Sequence, residues 1–150
     1  MLYSSFVMKI IVTNVDSVHK IIKNLDHSQK IGIISVLSKD SKFVLDSKFS
    51  TLHLKFVDID LLSLDEETVA FITNSSWNEQ LFTTQIAKQI KDFLNDKFDI
   101  LIVHCEAGIS RSPAIAAAIS EFLNIPHNFF QTHLPNKMVF EILQNVLKNS

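Results

Sequence analysis

The 150-residue sequence is poor in the residues that most often punctuate or cross-link a chain: one cysteine, Cys105, two glycines, Gly32 and Gly108, and three prolines. A lone cysteine excludes an intramolecular disulfide and a thiol relay with a resolving partner, so a reducing, cytoplasmic setting is expected. Longer apolar runs are missing too. None approaches the ~18–20 residues of a membrane span, and the opening MLYSSFV has no basic region of the kind that starts a signal peptide, so no membrane association is expected. A formal charge of -2 and scattered lysines leave no basic stripe for nucleic acid, which is not expected as a partner. Arginine is almost absent: Arg111 is the single one among 14 basic residues, which draws attention to the position that keeps a guanidinium.

What is present is ordinary for a folded chain. With 47% hydrophobic and 20% charged residues, disorder and low complexity are excluded, and the length fits one domain, residues 1–150, with residues 1–7 reading as a loose extension. Apolar segments alternate in type, which predicts an α/β fold: a central, mostly parallel sheet of about four to five strands flanked by helices. Val7 to Val12, Ile31 to Leu37 and Leu52 to Val57 read as strands. Asp16 to Leu25 has helical spacing, and the polar stretch Ser38 to Ser50 reads as a loop. Ser63 with Glu66 and Ser76 with Glu79 have the spacing of capping boxes, the second opening a helix across Trp77 to Asn95. The run Ile100 to Val103 has the continuous apolarity of a strand buried on both faces. Pro113 fits the first turn of a helix running to Leu123, and a last helix is expected from Asn136 to Leu147. Phe129 and Phe130 are assigned to the core.

Between that buried strand and that helix lies His104-Cys105-Glu106-Ala107-Gly108-Ile109-Ser110-Arg111-Ser112. Backbone N–H groups in such a loop point at an anion with the helix dipole behind them. The same dipole and the Arg111 guanidinium stabilise negative charge on sulfur, which makes Cys105 a nucleophile at neutral pH. Arg111 can return over the loop and present a planar fork to two phosphoryl oxygens, and Gly108 permits a positive φ or a close backbone approach.

This run resembles the His-Cys-x5-Arg-Ser signature of the cysteine-dependent protein phosphatases, above all their compact dual-specificity branch. The likeness extends over Leu52 to Leu123 in order of elements, and to Leu134-Pro135-Asn136. It implies that Cys105 attacks phosphorus, that Glu106 to Ser110 and Arg111 hold the phosphoryl oxygens, that Ser112 helps the thiolate leave, and that His104 braces the loop. It implies no metal or other cofactor and a phosphorylated protein or peptide as partner, with phosphotyrosine as substrate and phosphoserine or phosphothreonine open. The family also uses an aspartate as general acid, after the strand that precedes the helix leading back to the nucleophile. Asp58 aligns best, Asp60 is the alternative, and Asp65 reads more simply as a helix first-turn acid. The chain between Asp58 and Cys105 is longer than in compact members by about one short helix, supplied by Ser63 to Thr73. Other readings stay open: a phosphate-binding module without turnover, a same-loop phosphatase of RNA 5'-ends or phosphoinositides, or a rhodanese-like sulfur carrier. His127 and His133 lack the partners of a metal site.

Overall fold

A computed structural model describes residues 7–149 of the chain; of the expected extension, residues 1–6 lie outside the described residues. Four strands, β1 (Lys9–Thr13), β2 (Ile31–Leu37), β3 (Ser50–Lys55) and β4 (Ile100–His104), form one sheet in the order β1-β4-β2-β3. Every pairing is parallel. The two inner strands, β2 and β4, are buried along their whole length, whereas β1 and β3 at the edges are partly exposed. This is what the continuous apolar runs of β2 and β4 require, since helices cover both faces of a parallel sheet.

Alternation along the inner strands divides the core into two layers. Ile31, Ile33, Ile100 and Ile102 pack with Val18 and Ile22 of α1 (Val18–Asn24), and Phe43, Leu45 and Phe49 of the irregular crossover between β2 and β3 lie against them. On the other face, Ile34, Val36, Leu101 and Val103 meet α3 (Thr84–Phe93), α4 (Arg111–Phe122) and α6 (Lys137–Lys148). At roughly 1.5–3 kcal/mol for each fully buried aliphatic side chain, this second layer carries most of the hydrophobic stabilisation. Gly32 has a packing role in it: a Cβ there would come 2.6 Å from the Phe98 ring.

The helix expected across Trp77 to Asn95 is interrupted. Ser76–Gln80 is a 3-10 turn capped by Ser75, Leu81 and Phe82 insert into the core, and α3 starts afresh with the Thr83 hydroxyl accepting from the Ile86 N–H. Burial of two consecutive apolar side chains overrides helical continuity. The shorter α2 (Glu66–Thr73) is capped by Asp65, not Ser63. α5 (Phe129–Thr132) is a single turn, and Phe130 departs from its core assignment, being 45% exposed. Asn136 caps α6, where the sequence places that helix's start. No helix among the described residues is long and apolar enough to cross a membrane.

Candidate active site

The loop from Cys105 to Ser110 joins the carboxyl end of β4 to the first turn of α4. Ligands in open α/β sheets bind at such strand ends. Its peptide groups are turned by ties made from outside. The Cys105 carbonyl faces His104 Nδ1 at 3.3 Å, the Glu106 carbonyl accepts from Val15 N–H at 3.3 Å, and the Ile109 and Ser110 carbonyls accept from Leu134 and Asn136 N–H at 3.0 and 3.1 Å. A trans peptide carries its N–H opposite its C=O, so these ties turn the N–H groups of Glu106, Ala107, Ser110 and Arg111 to the other side. Among the described residues, the N–H groups of Glu106, Ala107, Ile109 and Ser110 donate to no protein acceptor.

Gly108 makes the loop's turn possible. Its φ is 72°, and a Cβ would stand 2.8 Å from the Thr13 carbonyl oxygen, so both the left-handed backbone and the close approach to β1 call for glycine. The Gly108 N–H donates to Cys105 Sγ at 3.2 Å, and Ser112 Oγ lies 3.1 Å from the same sulfur. Cys105 is 1% exposed and Ser112 is wholly buried. The sulfur therefore has a backbone donor and a hydroxyl in contact at the amino end of a helix.

Arg111 is 7% exposed and held along one edge of its guanidinium. One terminal nitrogen donates to the Phe56 carbonyl at 2.8 Å and to Ser38 Oγ at 3.3 Å, and the other donates to Glu106 Oε1 at 2.7 Å. Burial pushes the Glu106 carboxyl upward, but hydrogen bonds from Arg111 and Ser38 together with the Arg111 charge outweigh it and leave the group below its ordinary range. The Glu106 side chain thus serves the arginine, while its backbone N–H faces the loop interior. Ser38 and the Phe56 carbonyl were invisible in the sequence, because a loop serine and a main-chain oxygen carry no residue-type signal.

The three aspartates considered as acids are placed apart in function. Asp58, exposed on the chain after β3, accepts from Ser110 Oγ at 2.8 Å and from Asn136 Nδ2 at 2.9 Å, which brings it to the loop's rim. Asp60 accepts from the Lys137 and Met138 N–H groups at 2.8 and 3.2 Å and also from Leu62 N–H and Ser63 Oγ, so its carboxylate is committed to the amino end of α6. Asp65 caps α2 through the Thr68 N–H at 2.7 Å, and this bond lowers its pKa. Of the three, Asp58 alone touches the loop.

His104 is fully buried, and burial above all lowers its pKa. The imidazole is then neutral: Nδ1–H donates to the Cys105 carbonyl and Nε2 accepts from Ser35 Oγ at 2.7 Å. Ser35 is the one polar side chain within the apolar β2, and a lone hydroxyl in such a strand is a sequence signal for a buried partner. His127 instead pairs with Glu121 at 3.1 Å, and no group of three or more His, Cys, Asp or Glu side chains that could hold a metal ion occurs among the described residues.

No family model matches the chain. Over 95 residues, 61% of its length, it is 26% identical to the pentafunctional AROM polypeptide of Yarrowia lipolytica (strain CLIB 122 / E 150), but it spans only 6% of that protein. Solved structures are similar over nearly the whole chain. The human tyrosine phosphatase-like serine/threonine/tyrosine-interacting protein superposes with a TM-score of 0.58 at 18% identity, covering 91% of this chain and 89% of that one. PTPMT1, solved in complex with PI(5)P, gives a TM-score of 0.53 at 15% identity, covering 93% and 90%. The chain has the fold of tyrosine-phosphatase-like proteins.

Proposed function

We propose that the chain is a cysteine-dependent phosphomonoesterase acting on phosphorylated protein, phosphotyrosine first, in a reducing cytoplasm. The observation that carries this reading is a loop whose Glu106, Ala107, Ile109 and Ser110 N–H groups have no protein acceptor among the described residues, beside a buried cysteine and an arginine already anchored through its terminal nitrogens. In the first step, the Cys105 thiolate forms a bond to phosphorus while the phosphorus–oxygen bond to the leaving group breaks. The departing oxygen takes a proton from Asp58. In the second, a water oxygen bonds to phosphorus, the sulfur–phosphorus bond breaks, the water's proton passes to Asp58, and the Ser112 hydroxyl stabilises the sulfur as it leaves. The loop N–H groups and Arg111 hold the equatorial oxygens throughout, which is electrostatic stabilisation by groups already in place.

Charge favours a protein substrate over a lipid headgroup or an RNA end. From Phe56 to Ala87 the chain has Asp58, Asp60, Asp65, Glu66, Glu67 and Glu79 and no lysine or arginine, and this acidic stretch reaches the loop's rim through Asp58, which disfavours an anionic membrane or a polyphosphate. The rim also has exposed apolar side chains, Ile109 and Leu134, suited to a peptide's flanking residues. Turnover of p-nitrophenyl phosphate and phosphotyrosyl peptides is expected, with loss of turnover and retention of bound phosphopeptide in Cys105→Ser. Phosphopeptide binding by the wild type without turnover would establish a binding module instead. Preferential hydrolysis of phosphoinositide vesicles or 5'-triphosphorylated RNA would overturn the choice of protein substrate.

A further inference from the structure

Asn136 is 2% exposed and joins three parts of the molecule. Its side-chain oxygen accepts the Val139 N–H at 3.0 Å, capping α6, and its main-chain N–H donates to the Ser110 carbonyl in the phosphate loop at 3.1 Å. Its side-chain nitrogen donates to Asp58 Oδ1 at 2.9 Å and to the Ile59 carbonyl at 3.1 Å. The cap decides which way the amide faces. A backbone N–H can only donate, so Oδ1 of Asn136 must meet Val139, and Nδ2, which can only donate, must meet Asp58.

Oδ1 of Asp58 receives both Ser110 Oγ and Asn136 Nδ2, and no donor among the described residues reaches Oδ2. The Ser110 hydroxyl can rotate and accept, but the Asn136 nitrogen cannot. A proton on Asp58 Oδ1 would therefore oppose an N–H, whereas one on Oδ2 would not. We propose that Asn136 is the positioning residue of the general acid, holding Asp58 against the phosphate loop and keeping its transferable proton on Oδ2. This rests on Asp58 being the general acid, as proposed above. Because Asn136 also ties the Ser110 carbonyl, it adds a second link between the acid and the phosphate loop beside the direct Ser110–Asp58 bond.

The readout is leaving-group dependence. p-Nitrophenolate departs with little help, whereas the far more basic phenolate from phenyl phosphate needs the proton, so impaired acid catalysis appears selectively with phenyl phosphate. Asn136→Ser and Asn136→Asp each keep an oxygen to cap α6 and remove the amide donor. General acid–base catalysis contributes typically about 10²–10⁴-fold. Asn136→Ser is expected to lose roughly 10–100-fold in kcat/KM on phenyl phosphate and only a few-fold on p-nitrophenyl phosphate, and to lose nothing further when added to Asp58→Asn. Equal losses on both substrates, or an additional loss in the Asp58→Asn background, would overturn the proposal, and failure of both Asn136 variants to fold would overturn the separation of cap from tie. If Asp58→Asn itself loses equally on both substrates, the assignment of Asp58 as general acid fails instead.

Discussion

Two loops meet where Asp58 bonds Ser110, and they are held by opposite means. The phosphate loop is fixed through its own main chain: carbonyls tied to Val15, Leu134 and Asn136, a glycine pressed against Thr13, and a buried arginine bonded to the Phe56 carbonyl. The chain from Asp58 to Asp65 is held through side-chain carboxylates, each accepting from a helix end or a neighbouring side chain, and it is largely exposed. The difference suits the two tasks proposed for these loops. Stabilising charge on a phosphoryl group works best with dipoles that need no reorganisation at the moment of reaction. A proton donor must instead stay in contact with water to be recharged, so its loop keeps only a few fixed points.

The comparison is tested hardest on the phosphate loop. Arg111→Lys keeps the positive charge but removes the fork, and with it the joint anchoring to Phe56 and Glu106. A loss of about 10³-fold in kcat/KM is expected, at the upper end of what removal of one such donor costs. Steady-state kinetics on p-nitrophenyl phosphate checks this, and a loss under tenfold would mean that charge alone suffices. Gly108→Ala comes next. The new methyl would meet the Thr13 carbonyl while holding a left-handed backbone, so the loop must shift by tenths of an ångström. About 10²-fold in kcat/KM is expected, the penalty typical of a small misplacement; inorganic phosphate or vanadate is expected to raise the Tm of the wild type, and this rise should be lost in the variant.

The same contrast explains what the sequence could convey. The inner strands were legible because burial on both faces demands unbroken apolar runs, and the phosphate loop because Cys105, Gly108 and Arg111 are residue types with narrow physical uses. The broken helix before α3 was not legible, since nothing local marks Leu81 and Phe82 as reaching the core instead of continuing a helical stripe. The acid loop was legible only as three competing aspartates. Which of them faces the site depends on where the amino end of α6 arrives, 77 residues later in the chain, and it arrives on Asp60. Asn136 was legible as the start of the last helix, but the reach of its side chain to Asp58 is visible only in three dimensions.

Asp60→Ala tests the acid side. It removes acceptors from two backbone N–H groups of α6 and from the turn that begins at Leu61, so about 1–2 kcal/mol of stability should be lost, in the range of a helix-cap deletion. Because Asp60 fixes the chain beside Asp58, kcat on phenyl phosphate should fall by roughly tenfold while phosphate affinity is kept, a split that Arg111→Lys cannot produce. Thermal unfolding and inhibition by inorganic phosphate, measured on both variants, separate the two loops.

The smallest effect expected concerns pH. Glu106 has a lowered pKa in the folded chain, so its tie to Arg111 contributes in full above the ordinary glutamate value of 4.5 and is lost as pH falls through the lower folded value. His104, lowered from 6.5 chiefly by burial, is neutral in the fold, so its contribution is likewise complete above 6.5 and declines as pH falls and the unfolded chain takes up the proton. Both act in the same direction, and the two windows separate them. Glu106→Gln should flatten the Tm profile only near and below pH 4.5, leaving the decline that starts near 6.5 in place, whereas His104→Asn should remove that earlier decline. Since the Glu106 side chain is partly exposed, its step is the shallower of the two. Glu106→Gln should lie below wild type above pH 4.5 and converge on it as pH falls, and a Tm loss at pH 6–7 as large as that of Arg111→Lys would mean that Arg111 is set by the glutamate alone. The main-chain tie to Phe56 would then be secondary, and the distinction between a loop held by main chain and a loop held by carboxylates would have to be redrawn.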